Sequence, residues 1–575
     1  MREDFIERPR KNEKESAISY VRELLKQARE DRRSEDVDKL ENLIHLLNTK
    51  KYGLVWEEHT EWVEEEMKTK IPVFVEDESK KIVGKPDSED YNFLLEGDNL
   101  HSLHLLRKTH SGKIDVIYID PPYNTGAKSE DSNGSFVYND SIVDNKDNFR
   151  HSKWLSFMNV RLHLAKELLS NKGVIFISIG KEEVAQLKLL CDEIFGEKNC
   201  LGQIVRRSKT TSFRGNYFAL RVDYILCYSS GREVPDKFMD VVDSKKYTKI
   251  EKDGKRKGEL YKDDTAFYLS TLETRPNQRY YIECPDGELV LPPGKSFPID
   301  SIDGSKAVPE PNDGVWRWEV SQYLAKKEFL VFKKSKRSPL LTSTGEKSKW
   351  NIYTKSYYLD KIQNGNIPTE LFLEQINRKG TSELKKLKVK FTFPKPSSLV
   401  KYLIQITNKD KNISILDFFA GSGTTGHAVA QLNKEDGGNR KYILCTNNEN
   451  NICDEITYKR LDNIQGNLPH NLKYFKTDFV VKEEFPDVTL EYELLNYVTP
   501  LVELEFGVDI SNPKVQVILS EEQLDEMDES DFMENSTLFF HPEIFFDAEQ
   551  ERILRDKNIT KQEIPNYYFG KDMWS

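Results

Sequence analysis

Two parts of the chain contain short apolar runs that alternate with apolar residues at helical spacing. The runs are rich in β-branched and aromatic residues, which predicts buried strands. These predicted strands are residues 93–95, 116–119, 174–179, 204–207, 224–228, 413–417 and 442–445. The predicted helices of the first part are residues 100–107, 154–168 and 184–195. Such alternation is typical of an α/β fold with a mostly parallel sheet and helices on both faces.

Changes in this pattern predict five regions. Residues 1–85 combine helical spacing with a charged linker, and residues 86–230 form the first α/β half. Residues 231–390 have weak periodicity and frequent turns, and residues 391–479 return to strand–helix alternation. Residues 480–575 are acidic but contain apolar runs, so a small accessory α/β domain is favoured over a disordered acidic tail.

Composition limits the class of protein. The 575 residues are 31% charged and 37% hydrophobic, with no apolar run of 18 residues and no apolar signal core at the N-terminus. We therefore expect a soluble, cytoplasmic protein that does not enter a membrane. The six cysteines include no Cys-x-x-Cys pair, so we expect reduced thiols and no metal site.

Charge is distributed unevenly along the chain. The net charge is −11, but residues 231–400 carry about +8 and residues 471–575 about −15. In the basic part, Lys and Arg interleave with aromatic residues, and such side chains bind phosphates and stack on bases. An ordinary solvated surface would carry the same charges, so this feature alone leaves DNA binding open. The candidate DNA contacts are Arg206, Arg207, Lys209, Arg279, Arg317, Lys333, Lys334, Lys336 and Arg337.

The first motif that suggests chemistry is Asp120-Pro121-Pro122-Tyr123, directly after a predicted strand. The prolines fix the backbone and remove two N–H donors, which leaves carbonyl groups without local partners. Asp120 and the Pro121 carbonyl can accept the two N–H groups of an exocyclic amine, while Tyr123 stacks on a flat base. A buried strand that ends in a proline turn is the structural alternative.

The second motif is a glycine turn that follows the predicted strand 413–417. The glycines of residues 421–426 also fit a nicotinamide-binding fingerprint and the first half of a phosphate loop. A phosphate loop would need Lys and a hydroxyl residue where His427 and Ala428 stand. Asp417 would repel a pyrophosphate, whereas it would attract a ligand with a cationic end.

Together these motifs resemble those of a known family. Asp120–Tyr123 resembles the catalytic motif of DNA amino-methyltransferases, and residues 417–425 resemble their S-adenosylmethionine motif. Residues 393–396, Phe-Pro-Lys-Pro, resemble the segment that precedes the cofactor motif. The catalytic motif comes first, which resembles the β class. Segments from about residue 50 to 480 resemble the modification subunits of type III restriction-modification systems.

This resemblance implies a Rossmann-like, S-adenosylmethionine-dependent methyltransferase with an inserted target-recognition domain and smaller N- and C-terminal accessory regions. Residues 86–230 would be its catalytic half, 231–390 its recognition domain and 391–479 its cofactor half. The implied reaction is methyl transfer to N6 of adenine in double-stranded DNA, with base flipping. The implied catalytic residues are Asp120, Pro121, Pro122 and Tyr123. The implied cofactor-binding residues are Asp98, Asn99, Asn124, Thr125, Lys395, Pro396, Ser397, Asp417, Phe418, Phe419, Ala420, Gly421, Ser422, Gly423, Thr424, Thr425, Asn447 and Glu449.

The sequence departs from the family pattern at two places. An acidic residue is expected at the end of the strand 442–445 to bind the cofactor ribose, and either Asn447 or Glu449 takes that role here. After residue 179 the family pattern predicts an Asp pair, but the chain reads Gly-Lys-Glu-Glu.

The resemblance also implies partners and rivals. The partners are double-stranded DNA, a second copy of the chain in a homodimer, and a separate helicase-nuclease restriction subunit in a bacterial or archaeal cell. An N4-cytosine methyltransferase more often begins its motif with Ser and ends it with Trp, so Asp120 and Tyr123 favour adenine. An RNA or protein methyltransferase would more often show Asn first. A catalytically inactive DNA-specificity subunit is the alternative from another class.

Overall fold

The structure is a computed structural model that describes residues 13–31, 54, 56–126, 137–138, 141–143, 146–211, 217–270, 275–407, 410–481 and 495–569, with single positions between 33 and 44. Parts of the predicted N-terminal and C-terminal regions, at residues 1–12, 45–53 and 482–494, therefore lie outside the described residues. The chain forms two compact units. The first comprises Met1–Lys237 and Thr369–Ser575, and the second comprises Phe238–Pro368.

The first unit is built around an eleven-stranded sheet. Its strands are β1 Lys70–Glu76, β2 Ile82–Val83, β3 Asn92–Glu96, β4 Ile114–Ile119, β5 Leu169–Ile179, β6 Cys200–Arg207, β7 Val222–Ser229, β8 Leu371–Phe372, β9 Ser414–Asp417, β10 Lys441–Thr446 and β11 Asn471–Val481. A separate short hairpin joins Val137–Tyr138 to Ser141–Ile142.

The strand order is β1-β11-β3-β10-β9-β4-β5-β7-β6-β8, with β2 paired to β11. The central strands from β11 to β5 run parallel. Antiparallel pairs lie towards the edges, where β1 pairs with β11 and β7 pairs with β5 and β6. The α/β fold with a mostly parallel sheet is confirmed. Since parallel strands end at one edge, this edge gathers the residues that follow β3, β4, β5, β9 and β10.

Several of the described helices of the first unit bury apolar side chains against the large sheet. The α-helices of this unit with described bounds are α1 Glu13–Glu30, α2 Trp62–Thr69, α3 Asn99–His110, α4 Arg150–Leu168, α5 Val184–Cys191, α6 Asn377–Lys386, α7 Ser397–Ile406, α8 Thr424–Asp436, α9 Lys459–Asn463, α10 Leu495–Phe506, α11 Glu521–Asp525 and α12 Ala548–Asp556. The core joins Leu103 of α3, Leu162 of α4 and the strand residues Ile117 and Leu416, all fully buried. Burial of such side chains from water stabilises this arrangement.

The C-terminal part of the first unit forms its own small parallel sheet. Its strands are Val515–Ile518, Thr537–Phe540 and Thr560–Glu563. Leu524 of α11 and Leu554 of α12 are buried with Leu538 of the middle strand. The acidic surface of this region therefore covers an ordinary apolar core.

The second unit consists of short antiparallel sheets. A four-stranded sheet contains Lys249–Ile250, Leu260–Ala266, Trp350–Tyr357 and Leu330–Lys334. A two-stranded sheet pairs Tyr268–Leu269 with Val315–Trp316, and a three-stranded sheet contains Ile282–Glu283, Leu289–Leu291 and Leu341–Thr342. The α-helices among the described residues of this unit are Val320–Ala325 and Tyr358–Asn364. Its core is aromatic, with Phe267 and Trp316 stacked at 5.3 Å between ring centres.

The second unit is shorter at both ends than the predicted region 231–390. Residues 369–390, which contain β8 and α6, belong to the first unit. None of the described helices is both long and apolar enough to cross a membrane.

Candidate active site

The two motifs found in the sequence lie at the ends of neighbouring parallel strands. β4 ends one residue before Asp120, and β9 ends at Asp417. The strands pair with Leu416 beside Ile117. At the other end of the pair, the Ser414 amide donates to Asp115 Oδ2 at 3.2 Å across 299 residues of chain. The structure thus brings the proline motif and the glycine turn to one edge of the sheet.

Lys395 lies directly on the Asp120 carboxylate. Its Nζ is 2.6 Å from each carboxylate oxygen. The same Nζ lies over the ring of Tyr123, 4.9 Å from the ring centre. Lys395 was predicted to bind the cofactor; in this structure its ammonium contacts Asp120, and a contact with the cofactor stays a prediction.

The Asp120–Tyr123 turn is held from behind by α4 and by the residue after β5. Trp154 Nε1 donates to the Pro122 carbonyl at 2.8 Å. Gly180 lies so close to Tyr123 that a Cβ at this position would be 2.8 Å from Cδ2 of the ring. A side chain at residue 180 would therefore displace Tyr123, which explains why glycine stands there.

Asn124 ends the turn in a left-handed conformation with φ of 54°. It is fully buried, and its Nδ2 donates to Glu183 Oε1 at 2.5 Å and to the Arg150 carbonyl at 3.1 Å. Burial raises the pKa of Glu183 to about 8. Asn124 thus packs behind the turn through Nδ2, while its Oδ1 is buried without a hydrogen-bond partner among the described residues, and its contact with the cofactor stays a prediction. Thr125, next to it, is exposed.

The glycine turn after β9 is arranged around Asp417. The carboxylate accepts a hydrogen bond from the Phe419 amide at 3.0 Å and another from the Thr425 hydroxyl, and neither donor is charged. Burial, with a further contribution from the nearby Asp120 charge, raises the pKa of Asp417 to about 7. Gly421 and Gly423 have φ of 49° and 69°, so the turn requires residues that tolerate the left-handed region.

Two residues that the sequence analysis missed support this turn from the far side. Arg460 is fully buried, and its Nη1 donates to the Ser422 carbonyl at 3.1 Å and to Thr424 Oγ1 at 2.8 Å. Thr457 donates its hydroxyl to the Gly421 carbonyl at 2.5 Å. No motif marks either residue, because their role depends on how α9 and the π-helix Cys453–Tyr458 before it pack against the glycine turn.

Asp98 and Asn99 lie at the end of β3 on the same edge. Asp98 begins α3, where its Oδ1 accepts from the Leu100 amide at 2.8 Å, and its side chain is 32% exposed. Asn99 is buried and donates Nδ2 to the Phe418 carbonyl at 2.8 Å. Arg161, also missed by the sequence analysis, donates to both residues and pairs with the buried Glu61.

The other predicted cofactor residues divide into surface and core. Asn447 and Glu449 are exposed beyond β10. Between them, Asn448 donates to Glu96 Oε1 at 3.1 Å and to Asp454 Oδ2 at 3.0 Å. Phe418 has its side chain fully in the core, which makes a cofactor contact through that side chain wrong. The remaining predicted residues at this edge with little exposure are Pro396, Ser397, Ala420, Ser422, Gly423, Thr424 and Thr425. Pro396 begins α7, while Phe419 and Gly421 are half-buried.

The predicted DNA contacts are only partly on the surface. Arg206 is fully buried and pairs with Asp223, and Arg279 is fully buried and donates to the carbonyls of Ser296 and Gly314. Neither guanidinium can bind a phosphate in this structure, so these two predictions are wrong. Among the others, Lys209, Arg317, Lys334, Lys336 and Arg337 are exposed, and Arg207 and Lys333 are half-buried.

A mostly parallel sheet with these two turns on adjacent strands defines the Rossmann-like methyltransferases as the class of fold. The chain belongs to the DNA methylase family, whose model matches residues 114–459. It is 32% identical over 415 residues to the type II methyltransferase M.KpnI of Klebsiella pneumoniae, covering 67% of this chain and 90% of that protein.

Other relatives are longer. The Mod subunit of the type III restriction-modification enzyme StyLTI of Salmonella typhimurium is 30% identical over 407 residues, covering 66% of this chain and 56% of that protein. The chain thus spans little more than half of this relative. Among solved structures, it is similar to the PvuII DNA methyltransferase (cytosine-N4-specific), at 11% identity and a TM-score of 0.31, covering 67% of this chain and 95% of that one.

Proposed function

We propose that this chain transfers a methyl group from S-adenosylmethionine to N6 of adenine in double-stranded DNA. The observation that supports this most directly is the position of Asp120 and Asp417 at the ends of adjacent parallel strands. An amine acceptor and a methyl donor must meet within one cleft, and this edge of the sheet is where open α/β sheets bind ligands. Membership of the DNA methylase family supports the same reaction class.

The charges around the glycine turn fit S-adenosylmethionine as the cofactor. Asp98, Asp120 and Asp417 follow three strands of one edge. Asp417 is 2% exposed, and both donors to its carboxylate are uncharged, so a cationic ligand would compensate its charge. The half-buried ring of Phe419 offers an apolar surface beside the turn. When bound, S-adenosylmethionine supplies a methyl group on a positively charged sulfur.

Asp120 is proposed to activate the target amine by hydrogen bonding. The lone pair of the adenine amino nitrogen is delocalised into the ring, which makes it a poor nucleophile. Hydrogen bonds from its two N–H groups to Asp120 and to the Pro121 carbonyl favour a pyramidal nitrogen and stabilise the positive charge that develops there. The Pro122 carbonyl already accepts from Trp154, so the preceding carbonyl is the one assigned to the base.

Tyr123 is proposed to hold the flipped base. The target nitrogen lies inside the duplex stack, so the base must leave the helix before it can enter the cleft. A tyrosine ring replaces the stacking that the base loses. Close packing against Gly180 fixes the position of this ring.

We further propose that the chain is the modification subunit of a type III restriction-modification system. It would act in the cytoplasm of a bacterial or archaeal cell, as a homodimer, with a separate helicase-nuclease subunit. In this proposal the second unit, Phe238–Pro368, is the target-recognition part. Its exposed Lys334, Lys336 and Arg337 would bind phosphates and hold this unit on the duplex. The similarity to the Mod subunit of StyLTI supports the assignment.

Transfer of a labelled methyl group tests the reaction. The purified chain is incubated with labelled S-adenosylmethionine and duplex DNA, and we expect label on adenine. Single-molecule sequencing of DNA from cells that express this chain alone then identifies the modified base and its sequence context. Label on cytosine would establish an N4-cytosine methyltransferase instead, and an absence of label on DNA would contradict the proposal.

A further inference from the structure

Lys395 lies on both groups that the proposed reaction assigns to the target base. Its Nζ is 2.6 Å from each oxygen of Asp120 and 4.9 Å from the centre of the Tyr123 ring. The side chain of Lys395 is 8% exposed, while that of Asp120 is 27% exposed. One ammonium group thus contacts the Asp120 carboxylate and covers a face of the Tyr123 ring at the same time.

The backbone of Lys395 is fixed from two sides. Thr424, at the start of α8, donates its hydroxyl to the Lys395 carbonyl at 3.3 Å. Gly380 of α6 lies so close that a Cβ there would be 2.7 Å from the carbonyl oxygens of both Pro394 and Lys395. Prolines on either side restrict the backbone further. A change of position at Lys395 must therefore come from its flexible four-carbon side chain.

The lysine ammonium and the adenine base use the same two groups of the site. The ammonium donates to both oxygens of Asp120 and lies over the Tyr123 ring, while the base would donate one N–H to Asp120 and stack on that ring. The ammonium lies 2.6 Å from both oxygens of Asp120 and also covers a face of the Tyr123 ring. A base that stacks on that face and donates to Asp120 would take the position of the ammonium, so its entry requires the ammonium to leave.

We propose that Lys395 is a specificity-determining residue that competes with the target amine for Asp120 and Tyr123; this inference rests on the proposed function. Without DNA in the cleft, the ammonium partners the carboxylate. A flipped base enters only if it replaces the interactions that the lysine gives up, which adenine does by donating an N–H group to Asp120 and stacking on Tyr123. A base without that amine leaves the Asp120 charge without a partner, so it is rejected.

Fluorescence of 2-aminopurine tests the competition. This base lacks the 6-amino group, and its fluorescence rises when it leaves the stack. 2-Aminopurine replaces the target adenine in a duplex that contains the recognition sequence found by the sequencing experiment. The duplex is mixed with S-adenosylhomocysteine and saturating protein. Lys395→Met removes the competitor, and we expect the flipping equilibrium to rise about fivefold, as for the loss of one partly buried ion pair. In Lys395→Arg the guanidinium can pair with Asp120 through two parallel hydrogen bonds, which bind the carboxylate more strongly than the ammonium does. We therefore expect less base flipping than in the wild type.

Lys401→Met is the matched control. Lys401 lies on α7, close to Lys395 in the chain, and pairs with Glu435 at 2.8 Å, away from Asp120. Its variant should flip the base as the wild type does. A purely structural role for Lys395 predicts reduced flipping in the Met variant, and that result, or no change in either variant, overturns the proposal. If the Met variant does not fold, the Arg variant still decides.

Failure of this inference is distinguishable from failure of the proposed function. The fluorescence measurement requires no methyl transfer, whereas the labelled-methyl assay with wild-type protein and adenine DNA requires nothing of Lys395. Label on adenine together with unchanged flipping in the variants would reject the competition alone.

Discussion

Asp120 and Asp417 lie at the ends of the adjacent parallel strands β4 and β9, and the Asp120 charge contributes to the raised pKa of Asp417. Burial is the larger cause, and together they bring the pKa of Asp417 to about 7. The folded protein thus retains a proton on this carboxyl group in a pH range where an ordinary aspartate has lost it. A cation bound beside Asp417 would reverse that preference.

Binding of S-adenosylmethionine should therefore depend on pH. The ionised form of Asp417 attracts the cationic cofactor, so we expect affinity to fall as the pH drops through about 7, approaching tenfold per unit if only the ionised form binds. Isothermal titration calorimetry between pH 5.5 and 8.5 measures this. In Asp417→Asn we expect weaker binding without this pH dependence. The same pH profile in the Asn variant would contradict the assignment.

Removing the Asp120 carboxylate should separate binding from transfer. Asp120→Asn keeps the size of the side chain but has only one oxygen acceptor, so we expect methyl transfer to fall by about 10²-fold or more, as for other transition-state hydrogen bonds. Cofactor affinity should change little. Transfer of labelled methyl and calorimetry measure the two effects, and a variant with wild-type transfer would disprove the role of Asp120.

The two parts of Tyr123 should contribute unequally. Its hydroxyl is buried and has no hydrogen-bond partner in the described structure, so Tyr123→Phe should keep transfer within about twofold. Tyr123→Ala removes the stacking surface, and we expect a loss of about 10- to 100-fold, the range for one base–aromatic stack. Steady-state kinetics on the same duplex compare the variants. Equal losses in Phe and Ala would assign the role to the hydroxyl instead.

Arg206 and Lys209 should differ in what they stabilise. Arg206 forms a buried ion pair with Asp223, and breaking such a pair typically costs about 3–5 kcal/mol. Arg206→Ala should therefore lower the thermal unfolding midpoint. Lys209 is exposed, so Lys209→Ala should leave that midpoint unchanged. Scanning calorimetry measures the unfolding midpoint of both variants. A midpoint that Arg206→Ala leaves unchanged would show that the Arg206–Asp223 pair is unimportant for stability.

DNA binding should weaken steeply with rising salt, because phosphate contacts release counterions. We expect each change of Lys334, Lys336 or Arg337 to Ala to reduce the slope of log affinity against log salt by about one. Lys561→Ala, in the C-terminal sheet, is the control and should leave the slope unchanged. Affinity of the intact protein that stays flat over the salt range would reject the second unit as a phosphate-binding surface.

The sequence predicted the parts of the site that depend on local pattern. An apolar strand followed by a turn is visible before Asp120 and after residue 413, and both turns lie where the pattern indicated. That these strands are neighbours is visible only in the folded structure, since no local pattern connects segments so far apart.

Side-chain partners were less accessible. Arg206 is opposite Asp223 in the β6–β7 pair, and only the register of that pair reveals the buried ion pair. Arg279 was a candidate DNA contact because it lies in a basic region of the chain. The carbonyl groups that it binds, of Ser296 and Gly314, belong to loops whose path no sequence pattern predicts. Lys395 is placed on Asp120 by α6 and the start of α8, so its position depends on the folded backbone. Charge alone does not distinguish an exposed arginine from one that fills a core.

The position of β9 in the middle of the sheet has a consequence for biosynthesis. β4 must wait for this neighbour until 299 further residues, including the whole second unit, have been made. At translation rates of about 5–20 residues per second, that wait is on the order of tens of seconds. During this interval β4 exposes an apolar, unpaired edge of the kind that associates with other chains. The nascent chain should therefore depend on chaperones more than the nascent chain of a methyltransferase in which the central strands follow one another directly in the sequence.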